Sequence, residues 1–274
     1  MSELYGLIGE KLGHSFSPAI HSQIMKKLNL AGYYHLFEVN KENLAEAVKA
    51  LKVLKIKGVN VTIPYKVEVM NYLEEISAEA QRIGAVNTIY FKGEKSIGFN
   101  TDYYGFGLML EKFGINVLNS RAVVLGSGGA ASSVVHYLKD KGAREVVLVS
   151  RDINSAKEKF PDLKFCTYGE LKSLKGYELI INCTPCGMYP NLEESLVGSD
   201  VVKNFSVAVD LIYNPAETLF LKQAKAKGLK TIGGLYMLVG QAVKAQEIWN
   251  EVSIPENIID QIYQDLAAQI SWMG

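Results

Sequence analysis

The feature that most restricts how this chain can fold is a glycine-rich turn, Gly126-Ser127-Gly128-Gly129-Ala130-Ala131, placed directly after the apolar run Val123-Val124-Leu125. It fits G-x-G-x-x-A between a strand and a helix, the setting in which a βα turn holds a dinucleotide. Gly126 permits the tight turn, Gly128 lets the backbone approach a pyrophosphate, and Ala131 is small enough for close helix–strand packing. Ser127, Gly129 and Ala130 add N–H groups at a helix start, where the dipole favours a phosphate. From Arg121 onward, short β-branched runs at 122–125, 145–149, 163–167, 179–182 and 207–211 alternate with helical patterns such as 130–141 and 153–160. That rhythm predicts a doubly wound, parallel sheet of Rossmann-like type.

The first hundred residues also alternate. Strands are expected at 4–8, 33–39 and 58–63, helices at 18–28, 44–51 and 67–76, and a hairpin of 85–91 with 96–99 around Lys92-Gly93-Glu94. The stretch 235–268 reads as two helices divided near Pro255 that pack back on the first domain. The expected fold class is therefore α/β in two domains. One, 1–102 with 241–274, is an α/β domain completed by the C-terminal helices, and the other, 103–240, carries the glycine-rich turn.

Composition removes several classes of function. With 29 basic and 29 acidic residues in 274, the formal charge is zero, so neither nucleic acid nor an anionic membrane is an expected partner. No apolar run reaches the roughly 18 residues of a membrane span, and the start Met1-Ser2-Glu3-Leu4-Tyr5 does not resemble a secretory signal. Three cysteines are too few for a disulfide framework, and a reducing, cytoplasmic setting is expected. Cys183-Thr184-Pro185-Cys186 has dithiol spacing but lacks a thioredoxin-like context, so small packed side chains are the expected role. No His, Cys and carboxylate cluster has ligand spacing, and no metal is expected.

Polar residues gather at the ends of the apolar runs, where an α/β sheet forms its ligand crevice. Asn60-Val61-Thr62 precedes Pro64 and Lys66; Asn87 and Thr88 close one run, and Asn100-Thr101-Asp102 close another. A lysine beside a carboxylate in a cleft suits proton transfer, which makes Lys66 and Asp102 the catalytic candidates. Ser15-Phe16-Ser17-Pro18 puts two hydroxyls on the first loop, where Ser17 also fits a helix N-cap. The second strand of the glycine-rich half ends at Ser150-Arg151-Asp152; Arg151 is one of only four arginines. A hydroxyl and a guanidinium suit a ribose 2′-phosphate, whereas the carboxylate of Asp152 opposes one.

Taken in order, these motifs resemble those of the shikimate dehydrogenases, as do Asn182-Cys183-Thr184-Pro185, Gly187-Met188, Asp210 with Tyr213 and Pro215, and Gly234 with Met237-Leu238 and Gln241. The resemblance runs from about residue 4 to residue 250. It implies that 1–102 with 241–274 is a split α/β substrate-binding domain and that 103–240 binds the dinucleotide, the two facing each other across a cleft, with NADP(H) as cofactor and a small-molecule substrate. The implied activity is reversible reduction of 3-dehydroshikimate to shikimate, in aromatic amino-acid precursor synthesis, by a monomer or homodimer.

Implied substrate contacts are Ser15, Ser17, Asn60, Thr62, Lys66, Asn87, Thr101, Asp102, Tyr213 and Gln241. Implied cofactor contacts are Gly126, Ser127, Gly128, Gly129, Ala130, Ser150, Arg151, Leu211 and Gly234. The chain departs from the family where Asn-Arg-Thr is usual: here Ser150-Arg151-Asp152 stands, with Ser155 at the second basic position. NADP is expected over NAD by a reduced margin. The alternatives are a quinate/shikimate dehydrogenase using both cofactors and a non-catalytic dinucleotide-sensing module. A methyltransferase is disfavoured by Ser150-Arg151, where an acidic ribose ligand would stand.

Overall fold

The computed structural model describes residues 2–13 and 15–271. The chain divides into two compact units, Met1–Gly105 with Val239–Leu266, and Phe106–Leu238 with Ala267–Gly274. The expected partition differs by a few residues at each crossing, and 267–271 groups with the second unit; residues 272–274 lie outside the described residues.

In the first unit β1 (Glu3–Gly9), α1 (Ser17–Lys27), β2 (Gly32–Glu38), α2 (Leu44–Val53) and β3 (Gly58–Val61) come first. They are followed by β4 (Glu75–Ile76), α3 (Ala78–Ile83), β5 (Thr88–Lys92) and β6 (Lys95–Phe99). The strands form one mixed sheet, β2-β1-β3-β5-β6-β4, parallel across β2-β1-β3 and antiparallel across β3-β5-β6. Alternation along β1 sends Tyr5 to one face and Ile8 to the other. Tyr5 packs with Met25 of α1 and with Ala245 and Trp249, whereas Ile8 packs with Leu44, Val48 and Leu51 of α2. Each face of the sheet is thus covered by its own helices.

The stretch 67–76 is not the expected helix. A 3₁₀ segment, Glu68–Tyr72, ends there and the chain joins the sheet as β4. The Glu74 carboxylate accepts the Ser96 N–H at 2.7 Å, while the Ser96 hydroxyl accepts the Glu74 N–H at 3.2 Å. These bonds tie the segment to β6, and pairing overrides the helical spacing of its apolar residues.

The chain crosses between the units within three helices, α4 (Asp102–Lys112), α9 (Leu235–Asn250) and the final helix, Glu256–Ser271. Because all three crossings fall inside helices, composition does not mark them. The second unit contains β7 (Arg121–Leu125), α5 (Gly129–Asp140), β8 (Glu145–Val149), α6 (Ile153–Lys159), β9 (Lys164–Cys166) and β10 (Leu179–Asn182). After these come α7 (Ser199–Val202), β11 (Val207–Asp210), α8 (Leu219–Ala226) and β12 (Lys230–Ile232). The final helix, α10, spans Glu256–Ser271. All six strands of the second sheet are parallel, in the order β12-β11-β10-β7-β8-β9. This is the doubly wound order that reverses between its first and fourth strands, here β7 and β10, and the ligand crevice opens at that switch point.

Gly58 of β3 lies flat against the fully buried Trp249 of α9, whose indole N–H donates to the Ile89 carbonyl at 2.9 Å. A Cβ at position 58 would overlap the indole ring itself. Gly58→Ala should therefore lower stability by about 1–3 kcal/mol, the usual cost of overpacking. Urea denaturation checks this, and an unchanged midpoint would show that the indole yields freely.

Candidate active site

Asp102 opens α4 with its side chain almost wholly buried. One carboxylate oxygen accepts the Lys66 ammonium at 2.6 Å, and the other accepts the Asn87 amide at 2.9 Å. Asn87 in turn accepts the Thr101 backbone N–H at 2.7 Å through its amide oxygen. This last bond fixes which way the amide faces, so its NH₂ must point at Asp102. Lys66 follows the turn after Pro64 rather than lying inside a helix, and its backbone carbonyl accepts the Val86 N–H at 2.7 Å. Among the described residues Asp102 is the only hydrogen-bond partner of the ammonium, leaving two of its three N–H donors for a ligand.

The other expected substrate residues of the first unit divide by how their polar atoms are used. Thr101 passes a hydroxyl bond to the Gln241 amide oxygen at 3.4 Å, which brings α9 into the same network. Asn60 is consumed by protein groups: Tyr34 donates to it at 2.8 Å, and it donates to Thr88 at 3.0 Å. Thr62 is half-buried beside the Lys66 turn, its N–H bonded to the Ile8 carbonyl. Ser15 accepts the Ser17 N–H at 3.2 Å, which leaves its hydroxyl proton to donate elsewhere. Ser17 is not the N-cap of α1: it is the first helical residue, and Phe16 occupies the cap position.

Sequence reasoning missed Tyr34 and the structural part of Thr88. Tyr34 was findable, because alternate residues of β2 face inward and Tyr34 is one of them. Burial pushes its phenol well above the ordinary range, so it stays a neutral donor.

In the second unit, Gly126 has φ +102°, a conformation that favours glycine, and a Cβ there would lie 2.7 Å from the Thr184 methyl. The turns after β7 and β10 therefore touch at the switch point. Gly128 faces open space, and it caps the twelve-residue α5 with no side-chain bond. The first N–H groups of α5, from Gly129 and Ala130, thus have no capping side chain. This arrangement fits a dinucleotide pyrophosphate. Ser127 and Ser150 bring their hydroxyls to 3.2 Å, joining the glycine-rich turn to the end of β8. Arg151 is exposed, with no carboxylate paired to it among the described residues. The Asp152 carboxylate accepts the Ser155 N–H at 3.0 Å as the N-cap of α6. Leu211 and Gly234 lie back to back, since a Cβ on Gly234 would overlap the Leu211 backbone. Tyr213 lies half-buried beyond β11 in this same unit, and burial raises its phenol pKa.

A buried carboxylate braces these turns. Asp210, at the end of β11, accepts the Thr218 hydroxyl at 2.6 Å, the Ile212 N–H at 3.0 Å and the Asn182 amide at 3.0 Å. Asn182 uses its oxygen to accept the Thr184 N–H and hydroxyl. Burial also raises the Cys183 and Cys186 thiols, keeping both in the poorly nucleophilic protonated form. No group of three residues able to hold a metal occurs among the described residues, nor any helix long and apolar enough to cross a membrane.

The fold and these two polar centres define a dinucleotide-dependent oxidoreductase built from two α/β units. A sequence profile described as the shikimate dehydrogenase substrate-binding domain matches residues 7–89. The shikimate dehydrogenase (NADP(+)) of Clostridium perfringens is 53% identical over 266 residues, covering 96% of this chain and 98% of that protein. The crystal structure of a chorismate mutase/shikimate 5-dehydrogenase fusion protein from Clostridium acetobutylicum matches at 54% identity and TM-score 0.96, covering 99% of both chains. A third relative, shikimate 5-dehydrogenase from Thermus thermophilus solved with NADP(H) and shikimate, is 32% identical with TM-score 0.86, covering 96% of this chain and 99% of that one. The chain belongs to the shikimate dehydrogenase family.

Asp210 carries a pH signature. Burial raises its carboxyl from 3.8 to about 6, against the three hydrogen bonds that lower it. A carboxyl that binds its proton more tightly when folded stabilises the fold fully below pH 4. That contribution is lost as pH rises through 6, by roughly 3 kcal/mol in all. The stability difference between wild type and Asp210→Asn should change by about that amount between about pH 3 and about pH 7. Urea midpoints across this range test it; a constant difference would mean that Asp210 titrates normally.

Proposed function

We propose that this chain catalyses the reversible, NADPH-dependent reduction of 3-dehydroshikimate to shikimate, in the pathway to chorismate and the aromatic amino acids. The observation that carries the reading is the Lys66–Asp102 pair, held at 2.6 Å by Asn87 within a family whose named relatives are NADP-dependent shikimate dehydrogenases. The cofactor, when bound, supplies or accepts the hydride at the ring carbon. The glycine-rich turn and the start of α5 would hold its pyrophosphate, while Ser150 and Arg151 would face its 2′-phosphate.

The protein's own task is to orient the substrate and move one proton. In reduction Lys66 gives a proton to the developing alkoxide, and in oxidation it receives one from the hydroxyl. Asp102 holds the ammonium in place and offers an acceptor to a neighbouring ring hydroxyl. Ser15 and Ser17 bond the substrate carboxylate, Thr62 and Gln241 supply further donors and acceptors that a polyhydroxylated ring requires, and Asn87 and Thr101 position Asp102 beside it. Three cysteines, all unpaired, suit a reducing cytoplasmic compartment.

The first test is NADPH absorbance on mixing the protein with shikimate and NADP, with quinate and NAD as comparators. Lys66→Ala should lower kcat by roughly 10²–10⁴-fold, the usual contribution of a positioned acid–base group. Cofactor affinity should hardly change. Asp102→Asn should be strongly impaired as well, since it leaves the ammonium without its charge partner. Near-normal turnover in Lys66→Ala would sink the assignment.

The serines give a different signature. Each hydrogen bond to a charged carboxylate is worth about 1.5–3 kcal/mol. If it is equally strong in ground and transition states, removing either hydroxyl raises KM by about 10–100-fold, the double Ser15→Ala/Ser17→Ala variant raises it by about 10²–10⁴-fold, and kcat stays in place. An unchanged KM would assign both serines to the local structure of the α1 start.

A further inference from the structure

Arg151 stands near the end of β8 without the second basic residue that an adenosine 2′-phosphate ordinarily meets, because position 155 is serine. The structure brings another cation to the same place. Lys159, the last residue of α6, sends its ammonium to the Ser127 carbonyl at 3.3 Å. Ser127 is the residue whose hydroxyl touches that of Ser150 at 3.2 Å, so the ammonium stands where the glycine-rich turn meets the β8 end.

Helix geometry explains how it gets there. Lys159 follows Ser155 by four residues and lies on the same face, and helical side chains lean back toward the N-terminus. A lysine stem can therefore carry its charge about one turn back toward the position that Ser155 leaves neutral. Lys157, two residues before it, is rotated about 200° away at 100° per residue.

Lys159 is an exposed residue. Its ammonium donates to the Ser127 carbonyl, lies 5.3 Å from the centre of the Phe160 ring, and has no carboxylate paired to it among the described residues. Desolvation lowers its pKa. The nearest carboxylate along the β8 turn, Asp152, is committed to capping α6. An exposed cation without a counter-ion keeps donors for an anion supplied from outside.

We propose that Lys159 is a specificity-determining residue that supplies, with Arg151, the second positive charge for the 2′-phosphate of NADP. The inference rests on the cofactor part of the function proposed above, but not on the identity of the substrate. Ser127 holds the ammonium until the phosphate takes up its remaining donors.

The test is direct binding without substrate, by calorimetry, of NADP, NAD and adenosine 2′,5′-bisphosphate to wild type, Lys159→Gln and Lys159→Arg. Lys159→Gln should weaken NADP and the bisphosphate by roughly 10-fold, the scale of one charge-assisted contact. It should change NAD by less than twofold and flatten the salt dependence of NADP binding. Lys159→Arg should retain most of the NADP affinity. Equal losses for NADP and NAD would overturn the proposal, since they would make Lys159 a pyrophosphate contact or a clamp on the turn. No loss for either would overturn it too, leaving a solvated lysine. A protein that binds the bisphosphate through Lys159 yet fails to turn over shikimate would refute the substrate reading and leave this inference standing.

Discussion

The first unit depends on one requirement: the amide of Asn87, buried between two strands and a helix start, must have all its polar atoms satisfied. Its oxygen takes the Thr101 N–H and its NH₂ reaches Asp102. An unsatisfied amide in such a place costs about 1–3 kcal/mol, so the orientation is enforced by the fold. Once Asn87 is fixed, Asp102 is fixed, and with it the ammonium of Lys66. Three residues distant in sequence are thus positioned by a single hydrogen-bond accounting problem. The pair is partly buried, which makes it sensitive to the loss of either partner. Its value to stability is not what keeps it; its geometry is.

The second unit solves the matching problem for a bound anion with backbone. Gly126 and Gly128 keep side chains away from the crevice, and α5 begins without a capping side chain. Asp210 is an expense by comparison, since burial raises its pKa toward neutrality. What it obtains is the placement of the turns after β10 and β11, through Asn182, Thr218 and the Ile212 N–H.

Much of this was legible in the sequence where local chemistry decides the conformation. The glycine-rich turn was readable because a positive φ at Gly126, against the Thr184 methyl, demands glycine. Strands of the second sheet were readable because strands buried on both faces are continuous apolar runs. The helix expected at 67–76 failed because a long-range tie between Glu74 and Ser96 outweighs periodicity. Short elements such as α7, α8 and β12 gave too few turns of pattern to register. At the candidate site, residue types and positions were visible, but their division of labour was not. Asn60 and Asn87 look alike on paper; only the structure shows that Asn60 is spent on Tyr34 and Thr88, and Asn87 on Thr101 and Asp102. Lys159 was invisible for a related reason, since its significance lies in a contact with Ser127, thirty-two residues away.

The same local device shapes both units. Ser15 accepts the Ser17 N–H, Asn100 the Tyr103 N–H, Asn182 the Thr184 N–H, Ser150 the Asp152 N–H and Asp210 the Ile212 N–H. Each except Ser15, which stands just before α1, is a short polar side chain at or just beyond a strand end, taking a donor that has left the ladder. A chain turning out of a buried strand must satisfy such donors, and a side-chain oxygen does so without ordering water. Asn, Ser, Thr and Asp consequently collect at the strand ends, where α/β ligand sites form. That coincidence is why the motifs announce a site so clearly and why they cannot say which of their members touch the ligand. A residue whose polar atoms are all taken by turns and neighbours can only position others. One that retains a donor or acceptor, as Lys66 and Ser15 do, has chemistry left for the substrate.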